Sequence, residues 1–125
     1  MAKAGATVSS YQDLLVWQRG MDLAVATYRV SAALPREELY GLSSQIRRSA
    51  GSIPANIAEG YGRDNRGSYI QHHRIAQGSL KELETHLILA TRVGIIDGTT
   101  VNPLMEAAAE LGRMLRSMIR SLEAK

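Results

Sequence analysis

The chain has 125 residues, a formal net charge of +3 and no cysteine. This length suits one domain, and a domain of this size needs neither a metal nor a disulfide for stability. The lack of cysteine excludes disulfides and cysteine-based zinc sites, and it fits a reducing compartment. No apolar stretch approaches the roughly 18 residues of a membrane span, and residues 1–5 lack the apolar core of a signal peptide. We therefore expect a cytoplasmic protein that makes no membrane contact.

The first helix is predicted to follow a flexible tail of residues 1–9 and to open a single helical domain of residues 10–125. It should begin near Ser10, which forms a variant of the capping box with Asp13. Leu34-Pro35 should end it, because proline disfavours helical backbone at the residue before it. Spacings of three and four predict an apolar stripe of Leu14, Trp17, Met21, Ala24 and Tyr28.

The second helix is expected to start between Tyr40 and Leu42. Pro54 removes the hydrogen bond to the Ala50 carbonyl, so we expect a kink there rather than an end, since the periodicity resumes afterwards. The stretch 60–62 should close the helix, with Asp64 or Asn65 available to cap the next one. Its predicted apolar side contains Leu42, Ile46, Ala50, Ile53 and Ile57.

Two longer helices are predicted in the second half of the chain. The third runs from about Arg66 to Val93, and Gly94 with the turn at 97–98 stops it. The fourth is expected to open with Asn102 as cap and Pro103 at the first helical position. The apolar stripes are Tyr69, Ala76, Leu80, Leu83, Leu87 and Ala90 on the third helix, and Leu104, Ala108, Leu111, Leu115, Met118 and Leu122 on the fourth.

Four amphipathic helices with short connections predict an all-α fold, an up-and-down antiparallel four-helix bundle. Additional apolar residues, at 87–90 and at Met105, Gly112 and Ile119, make two helices more apolar than one buried face requires. We therefore expect a homo-oligomer, and scattered surface hydrophobes are the alternative explanation.

Polar residues line the second helix beside its apolar side, forming a ridge of Gln45, Arg48, Ser52, Asn56 and Glu59. Glycines interrupt the second and third helices at Gly51 and Gly78, at a cost of about 1 kcal/mol each relative to alanine, so we expect two helix backbones to approach closely there. Under one interpretation the ridge is a site in which Arg48 binds an anion and Glu59 is an acid or base. The favoured interpretation is a structural polar network, since buried polar groups must be hydrogen-bonded.

The sequence lacks the familiar signatures of catalysis. The stretch 60–62 lacks the third glycine of a dinucleotide-binding loop, and no strand precedes it. Adjacent His72 and His73 project about 100° apart on a helix, which is a poor geometry for chelation. We therefore predict no enzyme activity, no catalytic residue, no metal and no cofactor, and we expect the histidines at the surface or in an interface.

Positive charge is concentrated between Ser44 and Leu80. This segment contains five arginines and two acidic residues, so it accounts for the whole excess of +3. Arginine favours bidentate contacts with phosphate, so we predict an RNA- or DNA-binding surface, with few aromatic residues for base stacking. Salt bridges between helices or subunits of a protein–protein adaptor are the alternative. The candidate nucleic-acid-binding residues are Arg47, Arg63, Arg66, Arg74 and Lys81.

Two segments carry a family resemblance. The stretch 39–48 reads LYGLSSQIRR, and the stretch 52–63 reads SIPANIAEGYGR. With LVWQ at 15–18 and IAQGSLKELE at 75–84, they resemble the S23-type four-helix-bundle family, first recognised as products of intervening sequences inside 23S ribosomal RNA genes. The resemblance implies a homo-oligomeric bundle, with a pentamer expected, and it implies no established activity.

Overall fold

Four α-helices account for most of the part of the chain that the computed structural model describes, residues 7–125. They are α1 (Leu15–Ser31), α2 (Leu42–Tyr61), α3 (Arg66–Arg92) and α4 (Gly98–Glu123), with 3-10 turns at Tyr11–Asp13 and Arg36–Glu38. Between residues 7 and 125 there is no strand. Residues 1–6 of the predicted tail lie outside the described residues, whereas Ser9 already hydrogen-bonds the Asp13 carboxylate through its amide and its hydroxyl.

The helices form a closed antiparallel bundle in which each one packs on the next and α4 returns to α1. In the described chain, α1 makes no contact with α3, and α2 makes none with α4. The Arg74–Glu123 ion pair joins the N-terminal half of α3 to the C-terminal end of α4 and fixes their antiparallel register. The α1–α2 side and the α3–α4 side therefore lie on opposite sides of the bundle.

The apolar stripes predicted for α2, α3 and α4 form the core. The positions at most 1% exposed include Ile46, Ile53 and Ile57 of α2. From α3 and α4 they include Leu80, Leu83, Leu87, Leu111 and Leu115. Since burying one such side chain contributes about 1.5–3 kcal/mol, this core contributes strongly to the stability of the bundle.

The stripe predicted for α1 was partly wrong. Leu14 and Ala24 are buried, but Met21 and Tyr28 are 37% and 51% exposed. The core-facing positions of the helix are instead Val16, Gly20, Leu23, Ala24, Thr27 and Ser31. Small and polar residues can face the core here because the Thr27 hydroxyl donates to the Leu23 carbonyl at 2.7 Å, which satisfies it within the helix.

Two helix starts also differ from prediction. The Ser10–Asp13 capping box is present, but it caps the 3-10 turn, and α1 begins afterwards at Leu15. Asp97, and not Asn102, caps α4 by accepting a hydrogen bond from the Thr99 amide. Pro103 therefore lies inside α4, while Asn65 caps α3 as one of the two predicted options.

The predicted close approach of backbones at Gly51 and Gly78 was wrong. A Cβ atom at either glycine would have nothing within 4 Å. The close approach lies instead at Gly60, where an added Cβ would come 2.6 Å from the Cβ of His72. The α2–α3 contact is thus tightest near the turn that joins these two helices.

Part of the additional apolar surface is accounted for within the single chain. Ile119 is buried in the core, and Met105 packs against the core from the edge. Ile88 and Leu89 remain 40% and 47% exposed. None of the described helices is both long and apolar enough to cross a bilayer.

Candidate nucleic-acid interface

Arg47, the first of the predicted phosphate contacts, is partly buried and contacts other residues of the fold. Its Nε donates to the Ser31 hydroxyl at 2.8 Å, and its guanidinium carbon lies 5.6 Å from the centroid of the Tyr28 ring. Both partners belong to α1, so Arg47 fastens α2 to α1. Its contacts explain its position without any ligand.

Three of the other predicted contacts lie toward the end of the bundle where α2 joins α3. Arg63, just after the end of α2, donates to Glu59 in the last turn of that helix at 3.1 Å. Arg66 donates to the backbone carbonyl of Lys125, and Arg74 pairs with Glu123. The side chains of Arg63 and Arg74 are each 52% exposed, so these pairs are surface pairs that solvent screens.

Lys81, the last predicted contact, lies two helical turns beyond Arg74 on the same face of α3. Its ammonium donates to Glu84 at 3.0 Å, and its side chain is 69% exposed. Lys81 and Arg74 both line an open groove of about 500 Å³ between α3 and α4. The structure therefore brings two of the five predicted residues together.

The α4 side of this groove supplies two cations that the sequence prediction missed. Arg113 and Arg116 line it, and both are exposed. Neither has a carboxylate partner among residues 7–125. Their spacing of three residues places them on one face of α4, and this spacing was the signal available in the sequence.

The polar ridge of α2 divides into separate parts. The Ser52 and Ser79 hydroxyls lie 2.9 Å apart across the α2–α3 contact, and the Asn56 amide donates to the Ser52 hydroxyl at 2.9 Å and to its carbonyl. Gln45 and Arg48 are exposed and lie apart from this network. The hydrogen-bonded part of the ridge thus joins two helices, as a structural network does.

Glu59 lies in a different cluster, with Arg63 and His72. The His72 Nε2 is 3.6 Å from the Glu59 carboxylate, and its Nδ1 is 2.8 Å from the Ser68 carbonyl. The Glu59 side chain is 55% exposed. The Glu59 carboxylate is therefore a solvent-exposed member of an ion-paired cluster at the edge of the α2–α3 contact.

His73 was expected at the surface or in an interface, and this expectation was wrong. Its side chain is fully buried, and its Nδ1 donates to the Tyr69 carbonyl at 3.1 Å. The buried Nε2 has no hydrogen-bond partner. Burial, the largest effect, lowers the pKa of His73, and the Nδ1 hydrogen bond opposes it.

The ring of Tyr69 packs against His73 and in turn against Tyr61. The centroid of the Tyr69 ring lies 4.5 Å from that of His73 and 6.2 Å from that of Tyr61, both in edge-to-face geometry. Burial raises the pKa of Tyr69 to about 12, with a smaller contribution from Tyr61. This is a packed, neutral cluster, and no group of three or more metal-ligating side chains occurs in the described chain.

An apolar groove of about 660 Å³ lies on the opposite side of the bundle, between α1 and α2. Its exposed α1 wall consists largely of residues from the stripe that the sequence assigned to the core, and α2 contributes a floor of small residues. The lining includes Trp17, Met21, Val25, Tyr28, Gly51, Pro54, Ala55 and Ala58. Arg29 is the charged residue at its edge.

Known proteins that are similar to this chain identify its family. The family model described as 23S rRNA-intervening sequence protein matches residues 12–117. The chain belongs to this family. A solved structure from Bacteroides thetaiotaomicron VPI-5482, described as a protein with unknown function from the S23 ribosomal protein family, is similar at 28% identity with a TM-score of 0.78. The match covers 84% of this chain and 98% of that one, and no curated protein matches.

Membership of the 23S rRNA-intervening sequence protein family confirms the resemblance drawn from the sequence. The match spans all four helices as far as residue 117, so it includes the α3–α4 groove and the α1–α2 groove. The solved relative has no assigned function. The role of this member must therefore be argued from its own surfaces.

Proposed function

We propose that this family member is a non-enzymatic, oligomeric four-helix-bundle protein of the cytoplasm that binds structured RNA or DNA through an arginine-rich surface. The observation that carries the proposal is the concentration of charge. The segment from Ser44 to Leu80 holds the whole excess of +3. Arg63, Arg66 and Arg74 from this segment are exposed near one end of the bundle.

The ion pairs that these arginines form within the chain are weak, so the guanidinium groups remain available to phosphate. The Arg63–Glu59 and Arg74–Glu123 pairs are about half exposed, and such pairs typically contribute only 0–1 kcal/mol. A phosphate can therefore compete for the guanidinium groups at little cost in folding energy. Arg47 is the exception, because its contacts with Ser31 and Tyr28 support the α1–α2 packing.

Assembly would multiply this surface. We propose a homo-oligomer, with a pentamer as the expected form, whose subunits cover the apolar α1–α2 groove. Met21, Val25 and Tyr28 expose 37%, 42% and 51% of their surfaces beside Gly51, which has no neighbour within 4 Å of its Cβ position. Several linked copies of a weak phosphate surface raise the overall affinity by avidity, which compensates for the modest charge of each chain.

The test is fluorescence anisotropy with a structured RNA and a duplex DNA, on protein whose oligomeric mass is known from light scattering. We expect binding with little sequence preference that weakens steeply between low and moderate salt, because released counterions drive it. Affinity that does not change with salt would contradict the proposal.

A second candidate is a protein–protein adaptor that binds no nucleic acid. The apolar α1–α2 groove favours it, because exposed patches of this kind mark interaction surfaces. An intact oligomer that fails to bind either nucleic acid at low salt would favour the adaptor. The arginines would then serve ion pairs between helices or subunits.

A further inference from the structure

The α3–α4 groove is open to its helix backbones. Gly78 of α3 and Gly112 of α4 both line it. A Cβ atom at Gly78 would have nothing within 4 Å, and one at Gly112 would meet only the buried Leu80 side chain, at 3.4 Å. The two glycines therefore deepen the groove, and nothing in the packing of residues 7–125 requires a glycine at position 78.

The walls of this groove are cationic. Arg74 and Lys81 stand on α3, Arg113 and Arg116 on α4, and Glu84 is the acidic residue that lines it. Arg74 and Lys81 each have a carboxylate partner within the chain, Glu123 and Glu84 respectively. Arg113 and Arg116 have none in the described part of the chain. The α4 wall thus carries two guanidinium groups without a carboxylate partner, opposite Arg74 and Lys81 on the α3 wall.

We propose that the phosphodiester backbone of a nucleic acid lies along the α3–α4 groove, with Arg113 and Arg116 as its principal contacts and Arg74 and Lys81 on the other wall. This inference rests on the proposed nucleic-acid binding and gives it a location and two residues outside the segment that suggested it. Guanidinium groups match phosphate oxygens in a bidentate geometry, which suits a repeating phosphate ligand.

The cations continue beyond the groove toward the end of the bundle. Arg120 follows Arg116 by one helical turn on α4. At the end of the bundle where α3 begins and α4 ends, Arg66 donates to the carbonyl of Lys125. From Arg66 to Lys81 the track measures roughly 22 Å along α3, at 1.5 Å per residue. This length is enough for several consecutive phosphates of a nucleic-acid backbone.

The lining favours phosphate over bases or a protein partner. It contains no aromatic ring, so unpaired bases find no stacking surface. Protein interfaces are anchored by aromatic or large apolar side chains in pockets, and the apolar residues here are Leu80, which is fully buried, and Ala109. The ligand is therefore the backbone of a duplex or a folded RNA.

The test compares two charge-matched double variants in anisotropy titrations of duplex DNA and structured RNA across a salt series. In Arg113→Gln/Arg116→Gln, the slope of log affinity against log salt should become shallower by about 1.8, since each phosphate contact contributes about 0.9. At 0.15 M salt this difference corresponds to a loss of roughly 30-fold in affinity. The control, Arg36→Gln/Arg92→Gln, removes two exposed arginines away from the groove and should change the slope far less.

A charge-neutral variant tests the groove itself. Gly78→Met places a side chain over the floor, and because its Cβ has open space the helix should accept it. Affinity should fall although no charge is lost, whereas Gly78→Ala should bind nearly as wild type.

Several outcomes would overturn the inference. Equal losses in the two double variants would mean that only net charge matters. A changed oligomeric mass in Arg113→Gln/Arg116→Gln would assign these residues to subunit contacts, and equal affinity for polyglutamate would mean that any acidic chain fits. If Arg63→Gln/Arg66→Gln abolishes binding while the groove variants bind normally, the proposed function stands and the groove is not its site. If the wild-type oligomer binds no nucleic acid, both proposals fail.

Discussion

The two grooves on opposite sides of the bundle differ in polarity and in charge, the properties that determine which partner a groove can bind. The α1–α2 groove is walled by Trp17, Met21 and Val25 over a floor that includes Gly51. The α3–α4 groove is walled by arginine and lysine over Gly78 and Gly112. Both are formed where a helix-interior glycine leaves a gap, yet one would bury apolar surface and the other would attract anions. We propose that the apolar face serves self-association and that the cationic face binds phosphate.

Placing carboxylates in the apolar groove should have the largest effect on the assembly. In Met21→Asp/Val25→Asp, the mass measured by light scattering should fall to that of one chain, because unpaired charges cannot be buried in an interface. Helical circular dichroism should persist, since both residues are already exposed in the single chain.

The matched control puts the same two charges in the opposite groove. Gln77→Asp/Ala109→Asp should keep the wild-type mass and lose nucleic-acid binding. An unchanged mass in the α1–α2 variant, or dissociation in the α3–α4 variant, would break the assignment of assembly to the apolar face.

Glycine-to-alanine substitutions should have opposite effects on stability at the tight α2–α3 contact and in the open α3–α4 groove. Gly60→Ala should lower the free energy of unfolding by about 1–3 kcal/mol, because its Cβ would lie 2.6 Å from that of His72. Gly78→Ala should raise it by about 0.5–1 kcal/mol, since alanine is the better helix former and space is available. Urea denaturation of both variants measures the difference, and a loss at Gly78 would show that another chain packs there.

A smaller effect concerns His73, which lies in the core rather than on either face. Burial lowers its folded pKa, so the unfolded chain takes up a proton first as the pH falls below about 6.5. Stability is therefore full above that pH and declines as the pH falls toward the folded pKa, by at most about 1.4 kcal/mol per pH unit for one proton.

Urea denaturation between pH 7.5 and 5 checks this slope. His73→Leu should flatten it, because the buried imidazole is then removed. A slope that persists in His73→Leu would mean that another group titrates.

Sequence periodicity was enough to predict four helices, their order and the core of α2, α3 and α4. It failed on α1 because that helix is apolar on two adjacent stripes, and periodicity alone cannot tell which one faces the core. The choice is made by close packing, since a Cβ at Gly20 would lie 3.6 Å from Ile53 and Pro54 of α2. Similarly, Asn102-Pro103 has the pattern of a helix start, but Asp97 caps α4 one turn earlier.

The candidate site was only partly predictable for a related reason. Counting charges along the chain pointed to the segment from Ser44 to Leu80, and Arg74 is the one charged residue of that segment that lines the α3–α4 groove. Arg113 and Arg116 lie in a segment whose charges nearly balance, so composition did not single them out. Only the antiparallel packing of α3 on α4 brings them opposite Arg74 and Lys81.

Photo-crosslinking of a bound, structured RNA to the wild-type oligomer, followed by mass spectrometry of the linked peptides, tests the division between the two faces most directly. We predict crosslinks in residues 74–81 and 113–116, with residues 17–28 and 51–58 protected by neighbouring subunits. Crosslinks concentrated in residues 17–28 and 51–58 would contradict it.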